Sequence, residues 1–145
     1  METLYAEFLL WFHGFNSGER YEALLNENFL NSPNNDALLE LEECSSNMLD
    51  THGRFMRYWT YEHPSLNPGI FGKQLFLGLK SVYDANAFSI EDFSKRCFLL
   101  WESIPSGIDQ TEPFWILDYA GDCLSWGDEA QTRSLFDKAF SFYDL

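Results

Sequence analysis

The sequence predicts an all-α fold, a single-domain bundle of about seven helices over residues 1–145. Three observations carry that expectation. Apolar residues return every three or four positions along nearly the whole chain. No stretch alternates apolar and polar residues as a half-buried strand does. Capping residues, and prolines at starts and stops, mark the joints between periodic stretches. With 46% hydrophobic and 18% aromatic residues, the 145 positions supply a core without metal or disulfide staples.

In chain order, Leu4, Phe8, Trp11, Phe12 and Phe15 line one face of a first helix, which ends in the segment from Gly14 to Gly18. Tyr21, Leu24, Leu25 and Phe29 mark a second, stopped before Pro33. Asn35-Asp36 caps a third. Its stripe of Leu38, Leu41, Ser45, Met48, His52, Phe55 and Trp59 has heptad spacing. Gly53 is the point where this long helix would kink or divide, and His63-Pro64 ends it. Asn67-Pro68 supplies an N-cap and an N1 proline for a fourth, with Phe71, Leu75, Leu79 and Val82 inward. Gly72 and Gly78 in that helix make sense only where a neighbour comes close. Ser89 to Asp92 resembles a capping box opening a fifth, through Ile90, Phe93, Cys97, Leu100, Trp101 and Ile104 to Pro105. Thr111-Glu112-Pro113 starts a sixth, with Phe114, Leu117, Ala120 and Leu124. Gly127-Asp128-Glu129 opens the seventh, which carries Leu135, Phe136, Ala139, Phe140 and Tyr143.

The formal net charge is −14, distributed as −9 over residues 1–50, +2 over 51–100 and −7 over 101–145. Such a balance opposes direct binding to nucleic acid or to an anionic membrane, because both need cations facing phosphate. The N-terminal stretch has acids at 2 and 7, and its apolar run from Phe8 to Phe12 is too short for a secretory signal or a membrane span. Cys44, Cys97 and Cys123 are far apart and form no CxxC, so buried thiols in a reducing cytoplasm are expected.

Catalytic signatures are missing, and the expectation is a protein that is not an enzyme and uses no cofactor or metal. His13, His52 and His63 form no HExxH pair, and no glycine-rich phosphate loop occurs. His52 falls on the apolar seam, where a hydrogen-bonded core role is expected. Glu40, Glu42 and Glu43 read as a solvated face. Arg54 and Arg57, interleaved with Phe55, Tyr58, Trp59 and Tyr61, have the makings of a base-stacking patch, but the acidic flanks would repel the strand. Asp118 and Asp122, spaced i, i+4, would share one side of the sixth helix, where like charges repel and require water, a cation or a basic partner. A di-metal site would need more carboxylates and two ExxH motifs, which are lacking.

Fourteen Phe, seven Tyr and five Trp are the clearest compositional excess. Trp115, Tyr119 and Trp126 do not fit one buried stripe, and exposed aromatics beside acids are typical anchors for protein partners. The expected partner-binding face therefore comprises Asp118, Asp122, Trp126, Asp128 and Glu129, with Gly127 permitting a sharp turn among them.

In size, in charge and in the acidic, aromatic-rich segment from Trp115 through Asp118, Tyr119, Asp122 and Trp126 to Asp128, the chain resembles the immunity proteins of bacterial polymorphic-toxin and contact-dependent inhibition systems. That resemblance implies neutralisation of a cognate toxin, often a nuclease, by covering its cationic active site. Two other protein-binding readings accompany it. One is a helical adaptor or self-associating protein using the Leu38–Trp59 seam. The other is a DNA-mimicking inhibitor of the kind some phages encode.

Overall fold

Seven consecutive residues, Leu4 to Leu10, are buried within the first helix, α1 (Glu2–Phe12). A helix apolar on every side belongs in the centre of a protein. The sequence pattern shows only the face of Leu4, Phe8 and Trp11; the structure surrounds the rest as well. In this computed structural model, which describes residues 1–145, the remaining helices assemble around α1. They are α2 (Glu19–Asn31), α3 (Asp36–Glu43), α4 (Met48–Arg57), α5 (Pro68–Asp84), α6 (Ile90–Trp101), α7 (Ile116–Tyr119) and α8 (Glu129–Ser141). No strand is present, so the fold is all-α, with eight helices.

The longest helix, α5, is the main neighbour of α1. α2, α3 and α4 follow one another around the N-terminal half, while α6, α7 and α8 pack together in the C-terminal half. Thirty buried residues form one core to which every helix contributes. Tyr5 shows how α1 gathers its surroundings. Its ring lies 5.0 Å from Phe55 of α4 and 5.6 Å from Phe71 of α5, and its hydroxyl donates to the Ser103 carbonyl at 2.6 Å. The accessible surface is 7651 Å², close to the roughly 7,700 Å² of a compact chain of this mass.

The close approach that α5 glycines imply is real. A Cβ at Gly78 would strike Cδ1 of Leu10, and one at Gly72 would lie 2.8 Å from Phe114 and collide with the Tyr143 hydroxyl. Two expectations need correction. The long third helix is two helices, which raises the count from seven to eight, and it divides at residues 44–47 rather than at Gly53. Asn47 accepts a hydrogen bond from the Asp50 amide and starts α4, while Thr51 donates back to the Cys44 carbonyl at 3.0 Å. Gly53 lies inside α4, and a Cβ there would meet nothing within 4 Å.

The sixth predicted helix is also not one α-helix. α7 has four residues and passes into a 3-10 segment, Ala120–Trp126. The reason is tertiary. Thr132 of α8, fully buried, donates its hydroxyl to the Ala120 carbonyl at 2.7 Å, the acceptor an α-helix would offer to residue 124. After α4 the chain widens into a π-helical turn, Tyr58–Glu62. Cys97 and Cys123 are buried and Cys44 half-buried; all three are free thiols. No helix is long and apolar enough to cross a membrane.

The glycines make a paired test of this packing. Gly53→Ala should stabilise the protein by about 0.5–1 kcal/mol, because it adds helix propensity in open space. Gly78→Ala should destabilise it by about 1–3 kcal/mol, because Leu10 is itself buried and cannot swing away. Urea denaturation of both variants checks the opposite signs.

Candidate functional site

The C-terminal half holds a cleft of about 430 Å³ between α6 and the α7/3-10 segment. Its two walls meet closely because residue 121 is glycine: a Cβ there would sit 2.8 Å from Cβ of Ser94. Glu91, Ser94, Lys95 and Phe98 of α6 form one wall, and Asp118, Asp122 and Leu124 form the other. α6 presents these residues after Ser89, whose hydroxyl oxygen accepts from the Asp92 amide at 3.1 Å and starts the helix.

Asp118 and Asp122 thus reach the same cleft, but from different backbone. Asp118 belongs to α7 and Asp122 to the 3-10 segment. Their i, i+4 relation on a continuous α-helix, expected from spacing, does not exist. Other cations are held elsewhere: Arg133 by Glu129 at 3.2 Å, Arg96 by Asp92 at 3.1 Å and Lys138 by Glu112 at 3.9 Å. Neither Asp118 nor Asp122 has an ion-pair partner or accepts a hydrogen bond on its carboxylate. Lys95 stands on the opposite wall, also without an ion-pair partner.

The other three predicted residues divide. Trp126 is 67% exposed at the end of the 3-10 segment. Trp115 is half-covered, its ring centroid 4.8 Å from that of Tyr119. Gly127 adopts a φ of 78° and turns the chain, as the sequence suggests. Asp128 is the N-cap of α8 and accepts from the Gln131 amide at 3.0 Å, while Glu129 is occupied by Arg133. Both therefore serve the start of α8.

The N-terminal glutamate cluster corrects another expectation. Glu40 is not part of a freely solvated face. Arg54, with a side chain only 7% exposed, contacts Glu40 at 2.6 Å and donates to both oxygens of Glu62 at 2.8 and 2.9 Å. Arg57 contacts the same two acids. The Arg54 guanidinium, hydrogen-bonded to Glu62, holds that carboxyl below the ordinary glutamate range. Both arginines of the suspected base-stacking patch are therefore neutralised internally. Sequence spacing misses Glu62, because only the π-helical turn brings it back to Arg54. It also misses Ser94, an ordinary polar residue on a helix with no flanking signal.

The histidines are distributed as structural residues. His13 Nε2 lies 3.1 Å from the Ser103 hydroxyl, and the His52 ring stacks on Phe12 at 4.8 Å. The hydrogen bond expected at His52 is not made; its Nε2 is buried without a partner. His63 stacks on Tyr58 at 5.6 Å. Burial, and then the proximity of His52, push the His13 imidazole down to about 4. No group of three or more His, Cys, Asp or Glu residues is placed to hold a metal ion. Comparison with protein-family models, curated proteins and solved structures gives no match.

Two measurements follow from these arrangements. The unfolded state takes up a proton on His13 near its ordinary value of 6.5, whereas the folded state resists until about 4. Stability present above pH 6.5 should therefore decline as pH falls through this window. His13→Gln together with His52→Gln should flatten that part of a pH series of urea midpoints. Separately, Glu40→Lys should destabilise the protein by about 1–3 kcal/mol, because it sets a like charge beside the buried Arg54, although Glu62 still pairs with that arginine. Asp118→Asn with Asp122→Asn should leave the thermal midpoint unchanged or slightly raised.

Proposed function

We propose that this chain is a non-catalytic protein-binding inhibitor, most simply an immunity protein that neutralises a basic, nuclease-like toxin through its acidic C-terminal face. The observation that carries this reading is the pair Asp118 and Asp122. They line one cleft with the exposed ring of Phe98, and neither makes an ion pair within the chain. Several acids elsewhere have local work: Glu40 and Glu62 hold arginines, Asp128 caps α8 and Glu129 pairs with Arg133. Carboxylates left without partners attract a cationic surface from a distance, and an exposed Trp126 supplies the short-range contact.

The adaptor reading loses its main support. Leu38, Leu41, Phe55 and Trp59 of the supposed seam are buried in the chain's own core and are not offered to a second helix.

The test is binding to basic proteins captured from the native host or encoded beside this chain, with association rates measured across salt concentration. Association should slow as salt rises. Asp118→Lys with Asp122→Lys should weaken binding by more than about tenfold, since each pair of charges faces the partner directly. Glu19→Lys with Glu27→Lys on exposed α2 positions is the folded control and should have a smaller effect. Loss of binding in the control alone would place the interface on the N-terminal half.

A further inference from the structure

The cleft beneath Asp118 and Asp122 contains more than two acids. Ser94 is only 6% exposed on its floor, and its hydroxyl oxygen is buried without a hydrogen-bond partner. Buried hydroxyls are ordinarily satisfied, and serine within a helix can reach the carbonyl one turn back. This one does not, although it sits in the wall of an open cleft. Phe98 lines the same wall and keeps 39% of its surface exposed. Its ring leans against Trp101 at 6.4 Å.

We propose that this cleft is a socket for the guanidinium of an arginine side chain carried by the protein partner; the idea rests on the reading of the C-terminal face as the binding face. Its polar side chains include three carboxylates, those of Glu91, Asp118 and Asp122, and a hydroxyl oxygen, which accept hydrogen bonds; Lys95 is the one group that only donates. A guanidinium offers five N–H donors in a plane and no acceptor, so it satisfies several of these acceptors at once. Its flat face also stacks on an aromatic ring, for which Phe98 is available. The chain already uses that contact internally, where the Arg96 guanidinium lies 4.6 Å from the centre of the Phe88 ring. An ammonium has three donors around a compact, strongly hydrated charge and does not stack, so lysine fits less well. A metal ion fits worse, because the residues do not form a ligand cluster. Lys95 is the one cation on the cleft wall, and it competes with the incoming charge.

The experiment uses the intact isotope-labelled chain and follows backbone amide resonances during titration with N-acetyl-arginine amide. N-acetyl-lysine amide and sodium chloride serve as matched probes. The expected result is a saturable response at Ser94, Lys95, Gly121 and Asp122, at least about fivefold weaker for the lysine probe. Asp118→Asn with Asp122→Asn should abolish it, Phe98→Leu should reduce it, and Lys95→Gln should tighten it. Equal responses to the two amides, a non-saturating response like that to salt, or a response at other residues would each overturn the socket. A salt-sensitive complex with a basic protein, formed by a chain that shows no arginine preference, would overturn the socket while sustaining the broader reading. A saturable arginine response without any basic partner would do the reverse.

Discussion

Every other part of this structure depends on the burial of α1. A helix with no solvent face has to place whatever polar group it carries in the interior, and α1 carries Glu7. The fold answers with Gln74 of α5, which donates to Glu7 Oε1 at 2.5 Å, and Arg20 of α2, which approaches the same oxygen at 3.2 Å. Both contacts fall on that one oxygen, while Oε2 is buried without a partner; a buried carboxylate is costly to leave unpaired, so the two contacts tie α2 and α5 to the central helix. Tyr5, two residues earlier, performs the same task for α4 and the segment after α6.

The charge of −14 divides between two populations once the side chains are placed. One consists of acids with local work. Glu40 and Glu62 neutralise Arg54 and Arg57 around the π-helical turn, and Asp128 closes the start of α8. The other consists of acids that make no ion pair within the chain: Asp118 and Asp122 share one cleft with Glu91, and Glu19, Glu22 and Glu42 share another in the N-terminal half. Net charge alone draws no such distinction. Three chain segments with balances of −9, +2 and −7 suggested two equivalent acidic regions. The arginines of the middle segment reach back to Glu40 and partly discharge the first of them.

Local signals in the sequence were reliable where the structure is local. Asn35, Asn67 and Ser89 all cap the helices they appeared to cap. Glycines at 72 and 78 correctly implied a close neighbour. Failures came where a distant residue overrides the local pattern. The heptad stripe from Leu38 to Trp59 ran through a helix break because both α3 and α4 face the same core, so the periodicity survived while the backbone turned. Asn47 with Asp50 three residues on was a readable N-cap hidden under that stripe. The 3-10 segment was not readable at all, since it follows from a hydrogen bond made by Thr132, twelve residues beyond Ala120. The cleft shared this fate: Asp118 and Asp122 stood out by type and spacing, while Ser94 and Phe98 join them only through the packing of α6.

The Thr132–Ala120 bond has a consequence for kinetics. It fastens the acidic wall of the cleft to the buried side of α8, and Gly121 presses that wall against Ser94. The carboxylates of this wall therefore stand on a backbone ordered during folding, unlike those of an acidic tail, which must surrender conformational freedom at the moment of contact. If that surface binds a protein partner, as proposed, it meets that partner as a rigid body. The barrier to association then lies in diffusion and orientation, and the lifetime of the complex is governed by how well the contacts fit once made.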